Sequence, residues 1–140
     1  MSDRVELQTE VDAARVLVYP LLATAEGLGR WLTEAELDPR VGAKARFRLR
    51  DAVAVGEVLA VDPIQHISFS WDWEAEPLGT LTVVAFDAID HGARTHVTIR
   101  HVGLPTRALV ELHDEMWRYW LARFEDAARA LPRRDEATHP

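Results

Sequence analysis

His66-Ile67-Ser68-Phe69-Ser70-Trp71-Asp72-Trp73-Glu74 puts four large apolar side chains on one face of a predicted strand. Ile67, Phe69, Trp71 and Trp73 alternate with His66, Ser68, Ser70 and Asp72, the period of two expected of a strand with one wet and one dry face. A wall of that bulk fills a core or lines a cavity.

Strand pattern extends to both sides of this stretch. Segments 44–50, 53–61, 80–89 and 94–102 read as strands, separated by Asp62-Pro63, Pro77-Leu78-Gly79 and Asp90-His91-Gly92. Such short polar punctuation implies an antiparallel meander. A short strand at 34–38 precedes it, and Val5, Leu7, Thr9 and Val11 mark a first strand over 4–11. Both faces between Val53 and Val61 are largely apolar, so the direction of Glu57 stays open.

Between first strand and meander, Val16, Leu17, Tyr19, Leu21, Leu22, Leu28, Trp31 and Leu32 recur at helical spacing, interrupted by Pro20 and by Gly27 and Gly29. This predicts two short helices, the second N-capped by Thr24. After Pro105-Thr106 one long amphipathic helix is predicted over 106–131, stopped by Pro132 and about 35 to 40 Å long. Its apolar stripe is Leu109, Leu112, Met116, Trp117, Trp120, Leu121, Phe124, Ala127, Ala128 and Leu131. The expected fold class is therefore α+β, a curved antiparallel sheet of six to seven strands wrapped around the last helix. A single domain spans 1–132, and the polar tail 133–140 is expected to be disordered.

Composition narrows the function classes. The 140 residues include no cysteine, which removes disulfides and thiolate chemistry. Twenty-three acidic against 16 basic residues, a net charge of −7, disfavour nucleic acid as partner. Lys44, Arg46, Arg48 and Arg50 alternate with Ala45, Phe47 and Leu49, as on the solvent face of a half-buried strand. No apolar run approaches a membrane span and no signal core follows Met1, so no membrane association and a cytoplasmic location are expected.

The chain resembles the START-related helix-grip superfamily (SRPBCC), and within it the family of homologues of the activator of the 90-kDa heat-shock protein ATPase. The resemblance lies in Tyr19-Pro20-Leu21-Leu22-Ala23-Thr24 with Leu28 and Trp31, Asp38-Pro39-Arg40-Val41-Gly42, and Gly56-Glu57-Val58-Leu59 with Asp62-Pro63. It continues through Phe69-Ser70-Trp71, His101-Val102-Gly103-Leu104-Pro105 and Trp117-Arg118-Tyr119-Trp120-Leu121. Two departures are Tyr19, where family members often carry Trp, and Asp12-Ala13-Ala14 in place of a Pro-rich entry to the first helix. The resemblance implies a helix-grip fold. Superfamily relatives bind lipids, sterols, plant hormones or polyketides between sheet and helix, and some act as cyclases; the fold hosts too many roles to select one.

Candidate site residues follow from the faces. Trp71, Trp73, Trp117 and Trp120 come from the sheet and helix that face each other, where they either simply fill the core or, with Phe69, Phe86 and Ile99, wall an apolar ligand cavity, the reading carried forward here. His101 shares its strand face with Val97 and Ile99 and points inward, where it either orients a ligand's polar end, serves as acid or base, or is satisfied by a neighbour such as Glu57. Glu57 is included as a second polar contact should it face in. His113, four residues before Trp117 on the helix, either edges the pocket or, the plainer account, is a solvent-boundary histidine. His91, His96 and His101 do not converge, so no metal site is expected, and no cofactor motif occurs.

The leading expectation is a binding protein for a small hydrophobic molecule. The alternatives are a polyketide cyclase or dehydratase with His101 as acid or base, and a chaperone-associated interaction module using the acidic helix face of Glu111, Asp114 and Glu115. A homodimer through an edge strand is left open.

Overall fold

A computed structural model describes residues 3–132; the tail expected to be disordered lies outside the described residues. Strand β1 (Val5–Val11) leads to helices α1 (Arg15–Ala23) and α2 (Ala25–Leu28). Strands β2 (Glu34–Glu36), β3 (Lys44–Arg48), β4 (Val53–Asp62), β5 (His66–Ser70), β6 (Asp72–Trp73), β7 (Val83–His91) and β8 (Arg94–Val102) follow, and α3 (Arg107–Arg129) ends the domain. All pairings are antiparallel, in the order β1-β8-β7-β5-β4-β3-β2, with β6 on β4. This curled sheet with a long C-terminal helix is the helix-grip arrangement.

Among the described residues the sheet has eight strands, more than expected, because 66–74 divides at Trp71. The dividing force is a close approach. A Cβ on Gly56 would lie 1.8 Å from the Ser70 carbonyl oxygen, so only glycine lets β4 pass the end of β5. There Ser70 Oγ accepts from the Glu57 N–H at 2.9 Å, and Trp71 turns its backbone N–H to the Thr82 carbonyl at 3.0 Å. The face is nonetheless kept: Ile67, Phe69 and Trp71 are buried, and Trp73 is half-buried beside Trp71.

Strand β4 explains its own ambiguous pattern. Its register with β5 shifts between Val58 and Ala60, leaving Leu59 as a bulge 39% exposed. Ala54 and Val58 point inward before the bulge and Val61 packs on the core after it, so both parities look apolar. Glu57, opposite Lys44, is exposed. Arg46 and Arg48 point outward and pair with Glu74 and Glu36, as a solvated strand face should.

Helix α1 contains Pro20 inside its span, which costs it one backbone bond without ending it. Thr24 closes α1 and caps α2: its hydroxyl donates to Pro20 O at 2.7 Å and accepts from the Gly27 N–H at 2.9 Å. Thr106 caps α3 by accepting from the Leu109 N–H at 3.2 Å. Val110, His113, Trp117, Trp120, Phe124 and Ala128 form the buried stripe of α3. Leu112, expected on that stripe, is 49% exposed, and His113 takes the inward place.

Candidate functional site

The inner sheet face and α3 meet in an aromatic core. Trp71 contacts Phe47, Trp117 and Trp120 at ring-centroid distances of 5.1, 5.5 and 6.3 Å. Phe86 lies edge-on to Phe69, Trp117 and Trp31 at 5.5, 5.8 and 5.7 Å. Phe69, Trp71, Phe86, Ile99 and Trp117 are all buried here. Phe69, Trp71, Phe86 and Trp117, expected in the ligand wall, pack on one another at the spacings aromatic pairs prefer, Ile99 is buried with them, and none of the five lines the cleft described below.

Buried polar atoms in this core form two chains. Trp117 Nε1 donates to His101 Nδ1 at 3.1 Å, His101 Nε2 lies 3.0 Å from Thr82 Oγ1, and that hydroxyl donates to Trp71 O at 2.5 Å. Because Nδ1 accepts, the His101 proton sits on Nε2, and the chain is consistent only with a neutral ring. Burial, helped by nearby His113, pushes the His101 pKa down to about 3. On the second chain Trp73 Nε1 donates to His113 Nε2 at 3.0 Å, while His113 Nδ1 donates to Leu109 O at 2.7 Å. Burial lowers the His113 pKa as well, opposed by the Leu109 carbonyl.

His101 thus points inward as alternation required, but its partners are Thr82 and Trp117. Glu57 points to solvent from the wrong side of β4 and contributes neither to His101 nor to the core. His113, read as a boundary residue, is fully buried. Among the described residues, Trp71 Nε1 is a buried donor without an acceptor.

Open space lies to one side of this core. A cleft of about 710 Å³ runs between the middle of α3 and the turn joining β3 to β4. Leu32, Leu49, Trp73, Met116, Tyr119 and Trp120 give its apolar surface, and Arg50, Asp51, Glu115 and Arg123 ring it with charge. Of the expected site residues, Trp73 and Trp120 line this cleft. Arg123 is held by a bond from its Nε to Trp31 O at 2.8 Å and lies 6.0 Å over the Tyr119 ring. Arg50, expected on a strand face, sits beyond the end of β3 at the rim. Leu49, Arg50 and Tyr119 escaped sequence reading because the cleft is made by a turn and by a helix flank that no apolar stripe marks. Met116 and Trp120 carried a signal, as members of the α3 stripe.

Solved structures share the fold. The protein MLL2253 from Mesorhizobium loti superposes with a TM-score of 0.81 at 21% identity, covering 90% of this chain and 96% of that one. The Aha1 dimer from Colwellia psychrerythraea gives a TM-score of 0.76 at 20% identity over 93% and 98% of the two chains. DynU16, a protein in the dynemicin biosynthetic locus, gives 0.81 at 19% identity over 93% of this chain and 48% of its own. No curated protein matches. At residues 12–129 the sequence matches the family model, and the chain belongs to the family of Activator of Hsp90 ATPase homolog 1-like proteins.

Proposed function

We propose that this protein binds a small apolar molecule in the cleft between α3 and the β3–β4 turn. The observation that carries the reading is a cleft of about 710 Å³ whose surface includes two tryptophan rings, a size and lining usual for small-molecule sites. Apolar contact with Trp73, Trp120, Met116 and Leu49 supplies affinity. Arg50 and Arg123 share the rim with Asp51 and Glu115, so the charged ring can orient a polar end of either sign.

Native mass spectrometry of freshly purified protein tests the reading, with Met116→Trp as the comparison because that substitution fills the cleft from a half-buried position. The expected result is a discrete extra mass on the wild type that is absent from the variant. An adduct retained by Met116→Trp would move the molecule elsewhere.

A catalytic role for His101 loses its support, since both ring nitrogens are engaged and the ring is sealed from the cleft. Family membership favours a second reading, contact with a 90-kDa heat-shock chaperone, and one fold relative is an Aha1 dimer. The acidic face expected to make that contact is partly neutralised: Arg107 pairs with Glu111 and Arg118 with Asp114. Co-sedimentation with a purified chaperone of that class, and the oligomeric state of the free protein, decide between contact and none.

A further inference from the structure

We propose that Trp73 is a gate on the cleft and that His113 is its proton-operated latch, an inference that rests on the ligand-binding reading of that cleft. Trp73 stands between two spaces. Its ring lines the cleft and also meets Trp71 edge-on at 5.5 Å and 87°. Behind it is the sealed aromatic core.

Its only side-chain hydrogen bond among the described residues is the 3.0 Å donation to His113 Nε2. The acceptor role is fixed by the other ring nitrogen, because His113 Nδ1 gives its proton to Leu109 O at 2.7 Å. Protonation places an N–H on Nε2, and two donors then face each other across that gap. One side chain must turn away. His113 sits fully buried within a 23-residue helix, whereas Trp73 is half-buried on a strand of two residues paired to β4 alone. Trp73 is therefore the partner that moves. Its backbone stays anchored, since Asp72 Oδ1 accepts from the N–H groups of Trp73 and Leu78 at 2.9 and 2.7 Å. The motion is a side-chain rotation that widens the cleft toward Trp71.

The groups facing His113 support a single titration. From β8 comes His101, its ring edge-on at 5.0 Å, and from β6 comes Trp73. On α3 itself Asp114 is taken up by Arg118 at 2.7 Å and Glu115 lines the cleft. Burial and then the charge on His113 hold His101 neutral well below the ordinary histidine value, so His113 is charged against a neutral neighbour. Burial places the release on the acid side of the usual histidine range.

Indole N–H resonances in a proton–nitrogen correlation spectrum, followed from neutrality into acid without any ligand, test the gate. Trp73 is expected to move upfield as it loses its acceptor, while Trp31, whose Nε1 donates to Leu21 O at 2.7 Å, holds its position. In His113→Gln, where an amide oxygen accepts at any pH, Trp73 is expected not to titrate. Trp73→Phe keeps an aromatic ring and removes the donor, so His113 there is expected to titrate at higher pH than in the wild type. A stationary Trp73, a Trp73 that moves only together with Trp31, or an unchanged titration in both variants would each overturn the proposal. Because no ligand is present, a moving Trp73 in a protein that binds no apolar probe at any pH would count against the binding reading and leave the latch standing.

Discussion

Trp117 and Trp73 each give an indole N–H to a histidine, and the two histidines accept through opposite nitrogens, Nδ1 of His101 and Nε2 of His113. Both rings are neutral and buried, so protons oppose the fold. The unfolded chain takes up a proton near the ordinary value of 6.5, whereas folded His101 does so only at about 3. The stability this difference supplies is complete above the upper value and lost as pH falls toward the lower one, an effect on the order of a few kcal/mol. Denaturant unfolding across that window should show the loss, and His101→Gln should flatten it; an equal slope in the variant would assign the acid sensitivity to other groups. Trp117→Phe removes the donor to His101 and some ring volume, and should cost about 2 to 4 kcal/mol in the same measurement. The inward direction of His101 was legible from strand alternation with Val97 and Ile99. Its bond to Thr82 was not, because Thr82 precedes β7 and is held in place by the backbone of Trp71. His113 was misplaced because a polar residue interrupts the apolar stripe of α3, and hydropathy sends such a residue outward.

Elements were read better than their interruptions. The span of β8 matches expectation, the helix pair divides at Thr24, and α3 begins at its Thr106 cap. What periodicity missed was the break of the 66–74 strand and the bulge at Leu59, both set by the pairing of β4 with β5 and marked by no local signal. The first of these rests on glycine. Gly56→Ala drives a Cβ into the Ser70 carbonyl and forces two backbones apart, so a loss of about 3 kcal/mol or more is expected from thermal or denaturant unfolding. Gly27→Ala meets the Pro20 carbonyl at 1.9 Å and belongs to the same class. Thr106→Ala, by contrast, removes one cap hydroxyl and should cost about 1 kcal/mol. A Gly56→Ala protein as stable as the wild type would mean that β4 and β5 separate there without cost.

At the scale of the molecule, a curved sheet and a straight helix of about 35 Å cannot stay in register along their whole length. One consequence was legible: sheet and helix faces rich in tryptophan oppose each other. Their closeness was not, because alternation gives direction and says nothing of distance. The core aromatics close the gap near His101, and the space opens instead where α3 passes the β3–β4 turn. The direct test is a titration with 2-naphthol, an apolar probe with one polar end, read at the indole N–H groups. Trp73 and Trp120 should shift saturably while Trp31 and Trp117 stay still. Shifts that begin at Trp117 and Trp31, or no saturable shift at any indole, would contradict a binding site in this cleft.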